Sequence, residues 1–483
     1  MIERIQESSQ YLGTLLRCRA EYVDWLVAQR NISRRYGLME LYQDLQRTVR
    51  DADSFPKLLS AFRIFKQRHF LRIGGRDLLG TASLAETTAQ LSDLASVAFQ
   101  VGLDILNEHP EWWAGEGSEA WRTLKDEIKL TVMGLGKLGG QELNYVSDVD
   151  ILFFYGLRKD VSILSGDGLM LLNRLCQWLV KLLSETVDGD RVFIVDLRLR
   201  PKGKDGPLVP PLWAAAEHYL HQGHPWERQM LLKARPVAGD RTLGTAFLHE
   251  VRPFVFRRFL DFQALDELRT MRDKILAEAV RPRSGWQQFD VKLGIGGIRE
   301  VEFLVQSLQL IYGGRHPVLD EPSTLKCLDR LHELNLLPDR MVKELRESYI
   351  FLRRVEHWVQ LDQNRQTQKL PQSEEAKVRL AKALGFGGDE KLFLERLQDC
   401  CSVVHGHFRG LFHSKEEENE PQESVSSFEN FAPESLERLR SLLSAFPPSI
   451  TQAVQKVLAR FDHVRDREIA EKIFMRLERY FTQ

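Results

Sequence analysis

The chain has 483 residues, 43% of them apolar and 28% charged, with a formal net charge of −1 and five scattered cysteines. Such values describe a globular protein of about three domains and exclude a bulk field that would draw it onto nucleic acid or anionic membrane. No apolar run reaches membrane-spanning length, the first residues lack a signal-peptide core, and the sparse cysteines point to a reducing cytoplasm, without a disulfide framework or zinc-ligand spacing.

Residues 1 to about 110 read as helices, because Leu12, Leu15 and Leu16, then Leu38, Leu41 and Leu45, recur at helical steps. The basic stretch 63–76, interleaved with Phe65, Phe70 and Leu71, reads as a solvated helix face in preference to a phosphate patch. Between about 125 and 245 strand-like segments fall at 130–133, 149–155 and 191–199, with an apolar helix at 169–183. That order predicts a small mixed sheet. Helices resume at 265–279, 298–311, 341–361 and 391–412. The acidic, serine-bearing stretch 414–427 holds too little apolar surface to order itself and reads as a linker. Beyond it, 435–481 reads as helical, with Leu436, Leu439, Leu442 and Leu443 in one stripe.

The chemistry concentrates in 133–150, which reads Met-Gly-Leu-Gly-Lys-Leu-Gly-Gly-Gln-Glu-Leu-Asn-Tyr-Val-Ser-Asp-Val-Asp. On a strand, Asp148 and Asp150 share one face. Paired carboxylates beside a glycine turn suit divalent ions held against a phosphate, which points to phosphoryl or nucleotidyl transfer. Gly134, Gly136 and Gly139 also match a dinucleotide-binding pattern. Only residues 141–147 separate the turn from the aspartates, too few for the crossover helix that pattern requires. Lys137 likewise comes too early for a Walker loop.

The segment 191–200 alternates too. Phe193, Val195, Leu197 and Leu199 form an apolar face; Val192, Ile194, Asp196, Arg198 and Arg200 form the other. Asp196 supplies a third carboxylate, as a pair of metals about 3.5–4 Å apart would need. Backbone N–H groups at Gly134, Gly136, Gly139 and Gly140 can approach phosphate. Lys137, Ser147, Arg198, Arg200 and Lys202 are side-chain candidates for the anion. Arg228, Lys233 and Arg235 lie on a helical pattern, as phosphate ligands or as bases that snorkel to water. The 292–302 stretch opens a helix with glycines and brings Arg299 beside Glu300 and Glu302; capping accounts for it as well as anion binding does. His218, His221 and His224 recur at three-residue steps, but Gly223 and Pro225 break the helix that a zinc site would need.

These stretches, together with 195–201, 226–235, 292–303, 313–317, 351–357 and 365–367, resemble the bifunctional glutamine synthetase adenylyltransferase/adenylyl-removing enzyme family over roughly residues 10–412. The resemblance implies an α+β, predominantly helical architecture, with a polymerase-β-like nucleotidyltransferase mixed sheet flanked by helical domains. The expected divisions are an N-terminal helical region (1–115), a catalytic domain (116–290), a helical bundle (291–413), an acidic linker (414–430) and a C-terminal helical segment (431–483).

Family proteins carry two catalytic halves. This chain holds one, and its Glu-Leu-Asn-Tyr-Val-Ser-Asp form is similar to the N-terminal, adenylyl-removing half, so the chain is either an excised half or a single-headed relative. Carried over by position, Asp148, Asp150 and Asp196 are the catalytic residues and the ligands of two Mg²⁺ ions. The nucleotide and phosphate set is Gly134, Gly136, Lys137, Gly139, Gly140, Ser147, Arg198, Arg200, Lys202, Arg228, Lys233 and Arg299. The implied reaction is phosphorolysis of adenylyl-tyrosine on glutamine synthetase, giving ADP and the free tyrosine; the alternative is ATP-dependent adenylylation of the same protein. Implied partners are glutamine synthetase, phosphate, ADP or ATP and a nitrogen-regulatory signalling protein, with no nucleic acid and no membrane.

Overall fold

The computed structural model describes residues 2–158, 164, 166–187, 189–257, 262–278 and 289–410; the predicted linker and C-terminal segment lie outside these residues. The leucine steps at the start become helices Gln10–Cys18 and Leu38–Val49, with Leu12, Leu15, Leu16, Leu41 and Leu45 buried. Two long helices follow, Phe55–Leu78 and Leu84–Glu108.

The basic stretch on Phe55–Leu78 is not the solvated face expected of it. The helix is enclosed by its neighbours and touches Val187, Asp190 and Arg191, so Lys66, His69 and Arg72 are buried. Buried polar groups need partners, and these have them. Lys66 pairs with Asp190 at 3.1 Å, His69 Nε2 meets Asp44 Oδ2 at 3.1 Å, and Arg72 Nε donates to His69 Nδ1 at 3.2 Å. Because Arg72 donates to Nδ1, that nitrogen must accept, and the neutral imidazole carries its proton on Nε2 toward Asp44.

Burial pushes His69 down to about 4, with Asp44 opposing and Arg72 reinforcing the shift. The unfolded imidazole takes its proton near 6.5, so between these values the unfolded chain binds more protons and gains on the folded one. The contribution of neutral His69 is therefore complete above pH 6.5 and lost as pH falls toward 4, about 3 kcal/mol over the whole window. Urea midpoints at about pH 7 and about pH 4.5 are expected to differ more in the wild type than in His69→Gln; equal pH slopes would remove His69 as the cause.

The sheet has strands β1 (Ile128–Gly134), β2 (Asp148–Leu157), β3 (Ile194–Asp196) and β4 (Arg235–Gly239), in spatial order β3-β2-β1-β4. β1 runs antiparallel to β2 and to β4, whereas β3 is parallel to β2. Helix Gly166–Ser184 makes the crossover that a parallel pair requires. Alternate β2 residues face different cores. Val149, Ile151, Phe153 and Tyr155 pack into the N-terminal helices. Leu152 and Phe154 pack under helices Leu212–Gln222 and Arg241–Val255, against Tyr219, Phe247 and Val251. A third core joins helices Ile298–Tyr312, Thr324–Glu333, Asp339–Gln363, Glu374–Ala383 and Glu390–Gly410.

The architecture is thus α+β and predominantly helical, around one small mixed sheet. Two further expectations are corrected. The third strand is three residues long, not nine, because the chain turns at once: Arg200 donates to the carbonyls of Leu197, Lys204 and Gly206, and Lys202 takes φ +62°. The helical pattern over 226–235 breaks after Pro225–Leu231, and Arg235 opens β4. Pairing with β1 overrides the local helical signal there. All five cysteines are free, and no helix among the described residues is long and apolar enough to cross a membrane.

Candidate active site

The parallel register of β2 and β3 sets Asp148 opposite Ile194 and Asp150 opposite Asp196. The three carboxylates therefore share one sheet face, on the side where Leu152 and Phe154 are buried further along β2. At the aspartates the covering stops, and all three are only partly buried. Burial, joined by the charges of Asp196 and Asp148 and opposed more weakly by Lys292 and Arg198, raises the Asp150 carboxyl to about 6. Asp196 is held below the usual carboxylate range by Arg198, whose Nε lies 2.8 Å from Oδ2 and 3.1 Å from Oδ1.

The glycine turn bears on this edge from one side. Leu135 N–H donates to the Asp150 carbonyl at 2.9 Å. Gly136 has φ +49°, and a Cβ there would lie 3.0 Å from Asp150 Oδ2. Gly139 serves packing: a Cβ would lie 1.6 Å from the Lys233 carbonyl oxygen. Gly134 and Gly140 are similarly close, to Leu138 and Val237 and to the Pro322 carbonyl. The glycine run is a tight-packed corner of the fold as much as an open backbone.

Most of the bases proposed for phosphate have other partners here. Lys137 Nζ lies 2.8 and 3.0 Å from the two Glu356 carboxylate oxygens. Lys233, buried, donates to Glu142 and to Thr324 Oγ1. Arg228 donates to the carbonyls of Phe254 and Val255, Arg200 to those of its own turn, and Arg299 to Glu278 at 2.6 Å. Arg198 is 71% exposed beside Asp196, and Lys202 is exposed on the turn after β3. Sequence reasoning passed over Lys292, the cation whose charge lowers Asp150 and also reaches Glu356 and Lys137. It stands first in the glycine motif from which Arg299 was chosen.

Among the described residues, no three His, Cys, Asp or Glu side chains are gathered closely enough to grip an ion as they stand. The donor chemistry nevertheless fits a hard divalent cation. Carboxylate oxygens are the ligands such ions take, and like charges leave Asp150 short of a counter-charge. The Ser147 hydroxyl, next to Asp148 in the chain, is buried without a hydrogen-bond partner. Asp148, Asp150 and Asp196 are the residues that would hold the ion.

The chain is similar to known proteins. Residues 1–250 match the family described as glutamate-ammonia ligase adenylyltransferase, and residues 269–412 match that described as GlnD PII-uridylyltransferase. Similar proteins, each named bifunctional glutamine synthetase adenylyltransferase/adenylyl-removing enzyme, occur in several bacteria. The one from Thioalkalivibrio sulfidiphilus is 39% identical over 401 residues, covering 82% of this chain and 40% of the relative. Those from Pseudomonas putida and Pseudomonas aeruginosa are 38% and 40% identical, over 88% and 80% of this chain and 43% and 39% of their own lengths. The chain thus spans about 40% of the length of these relatives. With more than half of its residues matched to the family, the chain belongs to the glutamate-ammonia ligase adenylyltransferase family.

Proposed function

We propose that this chain removes AMP from an adenylylated tyrosine of glutamine synthetase by phosphorolysis in the cytoplasm. The reading is carried by the pairing of Asp150 with Asp196, which brings a third carboxylate to the Asp148/Asp150 face. A phosphate oxygen attacks the phosphorus of the adenylyl group, the bond to the tyrosine oxygen breaks, and that oxygen takes a proton from solvent; the products are ADP and free tyrosine. Mg²⁺ held by the three aspartates, as two ions, would neutralise the phosphates and stabilise the charge that develops at phosphorus.

The chain's own residues address the repulsion between two anions. Arg198 presents a planar, exposed guanidinium at the carboxylate edge, a shape that matches phosphate oxygens. Lys292 adds positive charge on the Asp150 side, and Lys202 stands on the turn after β3. Phosphate near neutral pH is already deprotonated, so the attack needs no general base. The match of residues 269–412 to a PII-uridylyltransferase supports that region as the place where a nitrogen-signalling protein acts.

The test mixes this chain with adenylylated glutamine synthetase, Mg²⁺ and phosphate and follows ADP. Phosphate-dependent ADP release is the expected outcome. Incorporation of label from ATP into unmodified synthetase, with no ADP release from the modified form, would replace removal by attachment.

A further inference from the structure

The loop from the glycine turn to Asp148 is attached to one face of a helix more than two hundred residues away in the chain. Lys137 is bound by Glu356. The Glu142 carbonyl and the Asn144 side-chain oxygen both accept from Arg353 Nη2, each at 2.6 Å. Val146 N–H donates to Gln360 Oε1 at 3.0 Å. Tyr145 Oη and His357 Nδ1 meet at the same Asp77 oxygen, at 3.0 and 3.2 Å. Residues 353, 356, 357 and 360 are spaced i, i+3, i+4 and i+7, a single face of helix Asp339–Gln363. Glu356, Arg353 and Gln360 are fully buried there, although Leu352, Val355 and Val359 of the same helix feed the third apolar core.

A buried polar face is costly unless partnered; apart from contacts within the helix, where Arg353 donates to Tyr349 Oη at 2.7 Å and pairs with Glu356, its partners lie on the loop that ends at Asp148 or on Asp77. Lys137 immediately follows Gly136, the residue that abuts the Asp150 carboxylate. Val146 lies two residues before Asp148. The helix therefore grips the loop at both ends of the segment that carries the aspartates into β2.

We propose that Glu356 and Gln360 are positioning residues for the aspartate edge, acting through Lys137 and Val146. The inference deepens the phosphorolysis reading and, for its activity arm, rests on it. Groups that orient the residues binding a reacting centre typically matter by about 10–100-fold, and misplacement by about 1 Å is enough to cause such a loss.

Three variants test it in the whole chain. Gln360→Met removes one hydrogen bond and preserves bulk. Glu356→Gln leaves a buried lysine without its counter-charge and can unfold the protein, so the paired variant Lys137→Gln with Glu356→Gln, which keeps an amide hydrogen bond, accompanies it. Amide hydrogen exchange is read first, because it needs no activity. In Gln360→Met, residues 136–150 are expected to exchange about tenfold faster, with helix Leu84–Glu108 unchanged. In the ADP-release assay kcat is expected to fall about tenfold or more with KM for phosphate within about twofold, and the paired amide variant to recover most of what Glu356→Gln loses. Unchanged exchange over 136–150 in both folded variants overturns the inference whatever the activity. Wild-type chain that releases no ADP removes the phosphorolysis reading and leaves the exchange result to decide this one.

Discussion

Asp150→Asn is expected to lower phosphate-dependent ADP release by on the order of a thousandfold while leaving the protein at least as stable. The activity loss follows from position. Asp150 faces Asp196 across the parallel strands, so an amide there removes the central anionic ligand from a set of three. Losing one preorganised charge or donor at a reacting centre commonly costs on the order of 10²–10³-fold, and a catalytic carboxylate more.

The stability half follows from electrostatics. Burial and the neighbouring Asp196 and Asp148 raise this carboxyl to about 6, which means that the folded protein disfavours its charge. An uncharged amide of the same shape relieves that repulsion, a common pattern in which function is held at the expense of stability. Asp148→Asn and Asp196→Asn share the activity prediction. Thermal melting beside the ADP assay checks both halves. Full activity in Asp150→Asn would remove the aspartate edge from the chemistry; a large fall in melting temperature would show that the carboxylate is structural.

Lys233→Met is expected to destabilise the chain by about 3–5 kcal/mol. Lys233 looks like a phosphate ligand from its place in a basic, motif-like stretch, yet its ammonium is buried against Glu142, which also accepts from Thr324 N–H and Oγ1. Burial lowers the Lys233 ammonium, and Glu142 and Glu302 more than reverse that, so it stays charged. Removing it leaves the Glu142 carboxylate in the interior without its cation. Breaking such a pair from one side costs far more than replacing both members, so Lys233→Met with Glu142→Leu is expected to recover much of the loss. Urea denaturation of the two single variants and the double variant measures the coupling directly. A Lys233→Met chain as stable as wild type, with weakened phosphate binding, would return this lysine to the anion site.

The fate of the basic residues shows where sequence reading stops. Asp148 and Asp150 were legible as a same-face pair because a strand's period of two is a local property. Asp196 was legible because an apolar strand face turned acidic toward one end. Arg198 followed from the same alternation, and it does stand beside Asp196. Lys137, Arg200, Arg228, Lys233 and Arg299 were chosen by charge and neighbourhood in the chain, and each has a partner that charge alone does not indicate. For Arg200 it is the carbonyls of Leu197, Lys204 and Gly206 in its own turn; for Lys137 it is a glutamate 219 positions later. Lys292 and Glu356 lie in stretches that carry the family resemblance, yet what each one meets is set by packing and not by its neighbours in the chain.

The sequence by itself determined the helical framework, the small mixed sheet, the aspartate pair with its third member and the family. All of these rest on periodicity, on short spacings or on the order of motifs, which the chain displays without folding. Only the tertiary structure decided which cations remain near the aspartates and which are spent inside the protein. It also revealed that a helix face at 353–360 holds the aspartate loop. Ion pairs and buried hydrogen bonds depend on who meets whom after long-range packing, and no local pattern encodes a partner two hundred residues away.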